Sequence, residues 1–112
     1  MLRKDNIIND ENAQKIANNL LKKGIKVFGD SRKLYIYIQR AAVDLGIIKN
    51  DNTIDLGLAL ILSEEDYLKV SDKIWEFLLK GYIAPGINQY NSWFPFTHIT
   101  EKGKDYLSSL EK

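Results

Sequence analysis

Few residues of this chain could carry chemistry, and the histidine and a run of acids are the first to consider. His98 is the only histidine, and a metal site or general base built on it would need partners that the sequence does not supply. The consecutive acids Glu64, Glu65 and Asp66 would point in different directions on a helix, where they suit the positive N-terminal end better than a shared cation. The predicted roles are therefore a half-buried strand histidine and an acidic helix start.

Other catalytic signatures are absent from the sequence. It has no cysteine, which removes thiol nucleophiles, Cys-ligated zinc and iron–sulfur sites, and it shows no Gly-rich phosphate loop or nucleophile elbow. We therefore expect no enzymatic activity, no cofactor and no metal. The N-terminal ten residues lack an apolar stretch of signal-peptide length, and Gly57 interrupts the longest apolar run, 56–62. A cytoplasmic protein without a membrane span is predicted.

Basic residues are concentrated in the first half of the chain. The net charge is +1, but residues 1–49 hold ten basic and five acidic residues, whereas residues 50–112 hold six and ten. The basic side chains of the first half could form a patch for phosphates or for an acidic protein, or they could be ordinary solvated helix faces.

Apolar spacing and residues typical of helix ends predict the helices that position these side chains. The first helix begins after Asn9 or Asp10 and ends at Gly24, and the second begins near Ser31 and runs to about residue 45, with Gly46 beyond its end. Their inner stripes include Leu20 in the first and Leu45 in the second.

The most strongly marked helix start is Ser63, because three acids follow it. The helix predicted over 64–80 has an apolar arc of about 200 degrees, so it is either buried on two sides or forms an interface. It has two apolar stripes. One consists of Tyr67, Val70, Ile74, Phe77 and Leu78, and the other of Leu68, Trp75 and Leu79. Its polar face carries Lys69, Asp72, Lys73, Glu76 and Lys80.

The remaining segments predict short strands and a final helix. Ile47 and Ile48 form a very short strand, whereas residues 54–62 are apolar on every side and fit a short buried helix or a buried strand. Residues 82–84 and 96–99 form a two-stranded hairpin with a long loop, and Thr100 caps a last helix over 101–110. The predicted fold class is α+β and mostly helical, with a flexible segment 1–9 and a single domain 10–112.

The order of these elements resembles a winged helix-turn-helix domain. Residues 75–83 (WEFLLKGYI) and 97–107 (THITEKGKDYL) are similar to the end of the third helix, the wing and the next helix of multiple-antibiotic-resistance-type regulators. The resemblance implies a winged helix-turn-helix fold with a two-stranded wing and flanking N- and C-terminal helices. It further implies a regulator that binds duplex DNA, as a dimer through its terminal helices.

In such regulators the third helix enters the major groove and the wing reaches a phosphate or the minor groove. Two features depart from this pattern: Asp72 and Glu76 would face the phosphates, and the wing 88–93 contains no Lys or Arg. The resemblance implies phosphate contacts from Arg32, Lys33, Arg40, Lys69, Lys73 and Lys80, and groove contacts from Asn88, Gln89 and Asn91.

Aromatic residues in the wing favour a second function, a protein-interaction module on the same fold without DNA binding. Tyr and Trp are enriched in protein interfaces, and a loop has little core to reach. Tyr90, Trp93 and Phe94 are the candidate interface residues, and with the broad apolar helix 64–80 they would form the docking surface. Folding back over the core is an equal alternative for Phe94.

Overall fold

A computed structural model describes residues 7–24, 31–48, 62–92 and 96–111. The two strands pair antiparallel, with Ile83 opposite Ile99. The predicted fold class, mostly helical α+β, is confirmed for these ranges, and none of their helices is both long and apolar enough to cross a membrane. The elements are α1 (Asp10–Lys23), α2 (Ser31–Asp44), α3 (Glu64–Leu79), β1 (Ile83–Pro85), β2 (Thr97–Ile99) and α4 (Glu101–Leu110).

The predicted helix ends are confirmed by their hydrogen bonds. The side chains of Asn9, Ser63 and Thr100 accept from backbone amides in the first turns of α1, α3 and α4, at 2.7, 3.0 and 3.0 Å. Gly24 ends α1 in the left-handed conformation, with φ at 70°. Short-range capping chemistry therefore sets the helix boundaries.

The very short strand predicted at Ile47 and Ile48 is wrong. Both amides donate to the carbonyl oxygen of Ala42, at 2.8 and 3.2 Å. These bonds close the C-terminal end of α2, so neither amide is available to a neighbouring strand. Most of the segment predicted as a short buried helix, 54–61, lies outside the described residues.

The core lies between α1, α2 and α3, which pack against one another. Leu45, the last residue of the predicted inner stripe, was predicted to face inward but is 41% exposed. The buried residues otherwise follow the predicted inner stripes: Ala13, Ile16, Ala17, Leu20 and Leu21 on α1, Leu34, Ile38, Ala41 and Ala42 on α2, and Val70, Ile74 and Phe77 on α3.

A buried carboxylate ties the N-terminal segment to α3. Asp66 is fully buried and accepts hydrogen bonds from the amides of Ile7 and Ile8, at 2.8 and 3.2 Å. From the next turn of the helix, Lys69 Nζ donates to the Ile8 carbonyl oxygen at 2.9 Å. Ile7 and Ile8, which the sequence assigns to a flexible segment, thus lie against α3, and Ile8 is part of the core.

Helix α4 packs against the hairpin at a very short distance. Gly103 is buried, and a Cβ atom on it would lie 2.2 Å from the Tyr82 carbonyl oxygen and 2.8 Å from Ile99 Cγ1. The rings of Tyr82 and Tyr106 stack beside this contact, with their centroids 4.5 Å apart. Gly103 is therefore the residue that lets α4 approach the hairpin.

Tyr35 joins α2 to α3 and makes the stability of the fold decrease at alkaline pH. Its ring stacks on Tyr67, with the centroids 5.6 Å apart, and its hydroxyl donates to the Leu62 carbonyl oxygen. Burial raises the pKa of Tyr35 above its ordinary value of 10.0. Since the phenolate is disfavoured in the folded state, this stabilisation is complete below pH 10 and is lost as the pH rises through the raised pKa.

We expect wild type to lose more unfolding free energy than Tyr35→Phe between about pH 9 and pH 11, because only wild type ionises Tyr35 on unfolding. Urea unfolding at both pH values measures the two losses. The two proteins differ only at residue 35, so the difference between their losses isolates the contribution of Tyr35. Equal losses would contradict the assignment.

Candidate docking face on helix α3

The outer face of α3 is a row of exposed residues formed by Leu68, Asp72, Trp75 and Leu79. Their spacing of four, three and four residues places them within an arc of about 60 degrees, at about 100 degrees per residue. The side chains of Leu68, Trp75 and Leu79 are 47, 51 and 86% exposed. Helix α3 therefore buries one of its two predicted apolar stripes and exposes the other.

One edge of this outer face is acidic, and the other is apolar except at its N-terminal end, where Glu64 is exposed. Asp72, Glu65 and Glu76 are exposed and follow one another round the helix on the same side of the stripe. Tyr67 and Leu78 border the opposite side and are half-buried. A partner on this face would meet an apolar strip with negative charge along one edge.

Three lysines on or just after α3 were predicted to contact phosphates, and two of them contact Ile8 and Asp10 instead. Lys69 donates to the Ile8 carbonyl oxygen, as described above. Lys73 Nζ lies 3.1 Å from the Asp10 carboxylate, and its side chain is only 18% exposed. The hydrogen bond to Asp10 raises the pKa of Lys73 above its ordinary value. Lys80, the third, is exposed at the C-terminal end of α3.

The cations predicted on the second helix lie apart from these lysines in the chain. Lys33 and Arg40 are exposed on α2. Arg32 lies in the first turn of α2, but its side chain is outside the part of the structure that is described. The six cations implied by the resemblance thus lie on α2 and on α3 with its C-terminal end, and two of them contact Ile8 and the first residue of α1, Asp10.

In the hairpin loop, the residues predicted to contact a groove differ in their hydrogen bonds and in their exposure. The Asn88 side-chain oxygen accepts from the amides of Tyr90 and Asn91, both at 2.9 Å, so it shapes the turn itself. Gln89 and Tyr90 are exposed, the latter by 85%. Asn91 is half-buried. Two other loop candidates lie outside the described residues: Trp93 and Phe94.

His98 lies in β2, as predicted, but it is exposed rather than half-buried. Its Nδ1 atom is 2.6 Å from the Gly86 carbonyl oxygen, so this nitrogen carries the proton and donates it. The ring borders an open cleft of about 300 Å³ that Asn88 and Ser92 also line. Across the described ranges, no three His, Asp or Glu side chains form a group that could hold a metal ion.

The sequence showed the outer stripe of α3 but did not select its leucines as candidate interface residues. A usable signal was present, because Asp72 interrupts the row Leu68, Trp75 and Leu79 at helical spacing. A carboxylate in the middle of an apolar stripe must reach water unless it is paired. The stripe that contains it is therefore the one to expect on the surface.

The described residues define a mostly helical α+β protein in which a two-stranded antiparallel hairpin separates a long helix from a C-terminal helix. This arrangement is compatible with a winged helix. Comparisons of the chain with models of known families, with curated proteins and with solved structures give no match. Its function is therefore inferred from its surface chemistry.

Proposed function

We propose that this protein is a protein-interaction module whose docking surface is the outer face of α3. The exposure of Leu68 and Leu79, at 47 and 86% on one face of a helix, is the observation that carries this proposal. Leu68, Trp75 and Leu79 place exposed apolar side chains along one row that Asp72 interrupts, and each Å² of apolar surface removed from water contributes about 25 cal/mol. A protein partner can cover such a strip with apolar side chains of its own.

Duplex DNA is the competing partner, and the order of the elements supports it together with the exposed Lys80. Three features of α3 weigh against duplex DNA. Asp72 and Glu76 would approach phosphates that repel them, and Lys69 is held by the Ile8 carbonyl oxygen. If the outer face of α3 entered a groove, its leucines would meet mainly phosphate, sugar and polar base edges. A protein partner therefore fits the outer face of α3 better than duplex DNA does.

Selection of peptides from a random displayed library on the immobilised protein tests the docking surface. We expect the selected peptides to bind the double variant Leu68→Asp/Leu79→Asp at least about tenfold more weakly than wild type, because truncating central apolar anchors costs 1 kcal/mol or more.

The matched control carries the same changes at two exposed leucines away from α3, Leu45→Asp and Leu110→Asp, which are 41 and 51% exposed in wild type. Its affinity should stay within about twofold of wild type. Selected peptides that bind all three proteins equally, or no selected peptide at all, would overturn the docking surface.

A parallel titration of a labelled mixed-sequence duplex, at low and at physiological salt, tests DNA binding. Flat anisotropy is expected for wild type. Binding that weakens steeply with salt and is lost in Lys80→Glu would make DNA the partner instead.

A further inference from the structure

We infer that the partner of the outer face of α3 is a basic amphipathic helix, a Lys/Arg-rich segment with apolar residues at the same helical spacing. This inference rests on the proposed function and adds the chemistry of the partner. Three properties of α3 lead to it: the length of the stripe, the state of the helix backbone and the charge of its edge.

The stripe is long and narrow. From Leu68 to Leu79 it spans eleven residues, or about 16 Å at 1.5 Å per residue. An amphipathic helix presents apolar side chains at the same spacing and packs with its axis about 8–10 Å away. Leu79, which is 86% exposed, is the side chain with the most surface to bury in such a contact.

An extended peptide would gain less from this surface. Peptides that bind as added strands obtain affinity from main-chain hydrogen bonds to a free sheet edge. The backbone groups in the interior of α3, which runs from Glu64 to Leu79, already bond within the helix. Affinity on this face must therefore come from side chains, and a helix places the most side chains along a straight stripe.

The charge along the edge selects a basic partner. Asp72 lies within the outer row, Glu76 lies beside it and Glu64 lies at its N-terminal end, all three exposed. Lysines or arginines flanking the apolar row of the partner would face these carboxylates, as oppositely charged flanks do between paired helices. An acidic partner would be repelled at the same positions.

A second copy of the chain fits this surface less well in either orientation. Pairing two α3 helices antiparallel brings like flanks together, so that Asp72 and Glu76 of both copies would meet. Pairing them parallel places the two acidic first turns, each with Glu64 and Glu65, side by side. Like charges on facing helices are destabilising, which favours a basic segment from another protein.

Three synthetic helical peptides of about 18 residues test the inference. The first carries leucines at i, i+4, i+7 and i+11 with lysine at the flanking positions. The second has glutamate in place of each lysine, and the third has the composition of the first but a scrambled order without a stripe. Calorimetric titration at about 0.15 M salt limits attraction by charge alone. We expect the first peptide to bind and the other two to bind at least about tenfold more weakly.

Two charge variants localise the effect. Asp72→Asn/Glu76→Gln should weaken binding of the basic peptide about fivefold or more, since both substitutions remove negative charge from the outer face of α3. The matched control, Glu101→Gln/Asp105→Asn, makes the same change of net charge at exposed positions of α4 and should stay within about twofold of wild type. Equal weakening by both pairs, or equal affinity for the acidic peptide, would overturn the basic partner.

These outcomes separate the inference from the proposed function. If library peptides depend on Leu68 and Leu79 but show no preference for basic residues, the docking surface stands and only the basic partner fails. If no peptide depends on those leucines, the proposed function fails. If sedimentation velocity shows a dimer that Leu79→Asp dissociates, the occupant is a second copy, and the basic partner is overturned.

Discussion

Gly103→Ala is expected to lower the free energy of unfolding by about 2 to 3 kcal/mol, although alanine is the better helix former by about 1 kcal/mol. Gly103 lies within α4, where local propensity alone predicts that alanine stabilises the protein. The added Cβ atom would stand 2.2 Å from the Tyr82 carbonyl oxygen, and this oxygen is fixed because it accepts the Thr100 amide at 2.9 Å. Helix α4 must therefore move away from the hairpin. Urea unfolding measures the loss.

Gly24→Ala is the matched control for this prediction. Gly24 has a positive φ of 70°, but no atom lies within 4 Å of the position its Cβ would take. The substitution should therefore cost only the left-handed backbone penalty of about 1 to 2 kcal/mol. A Gly103→Ala protein that is as stable as wild type would show that the close approach of α4 to Tyr82 does not exist in solution.

Asp66→Ala is expected to lower the free energy of unfolding by about 3 kcal/mol. The substitution removes the acceptor of the Ile7 and Ile8 amides, and hydrogen bonds to a charged group contribute about 1.5 to 3 kcal/mol each. It also frees residues 7–9, because the Asp66 carboxylate holds both amides. Chemical denaturation gives the loss of stability, and hydrogen exchange at the Ile7 and Ile8 amides reports the release directly.

Two further variants define the cause. Asp66→Asn keeps one side-chain acceptor and should be intermediate in stability and in amide protection. Glu64→Gln removes an exposed acid from the same helical turn, where interaction with the helix dipole is worth only about 0.3 to 1 kcal/mol. If the Ile7 and Ile8 amides exchange in Asp66→Ala as slowly as in wild type, Asp66 is not what holds the segment.

The sequence predicts the helices well because their signals are local. The caps at Asn9, Ser63 and Thr100 act on amides only three residues away, so a short stretch of sequence contains both partners of each hydrogen bond. The strand predicted at Ile47 and Ile48 failed for a related reason. Apolar β-branched residues suggest a strand, but the amides of these two residues serve the end of the preceding helix.

Contacts between segments that are distant in the chain could not be predicted from the sequence. By local propensity a glycine at position 103 is unfavourable in a helix, and the contact that requires it is with a carbonyl group about twenty residues earlier in the chain. Asp66 was grouped with Glu64 and Glu65 as an acidic helix start. Helical geometry does place Asp66 on the side of Val70 and Phe77, which are buried. Its burial could therefore have been foreseen, but not the amides that it binds.

The candidate site shows the same division between local pattern and packing. Lys69 and Lys73 belong to the polar face of α3, as the sequence indicates, but only packing decides that this side meets the N-terminal segment and Asp10. The position of the exposed stripe depends in the same way on where α1 and α2 lie. Composition and spacing identify an amphipathic helix, and its neighbours decide which part remains available to a partner.

The bond between Asp66 and Ile7 also sets an order of events while the chain is being made. The two residues are 59 positions apart, and ribosomes add about 5 to 20 residues per second. Ile7 and Ile8 are thus synthesised about 3 to 12 s before the carboxylate that receives their amides. Ile8 meanwhile has no α3 to pack against, so this segment cannot reach its final place until α3 has been made.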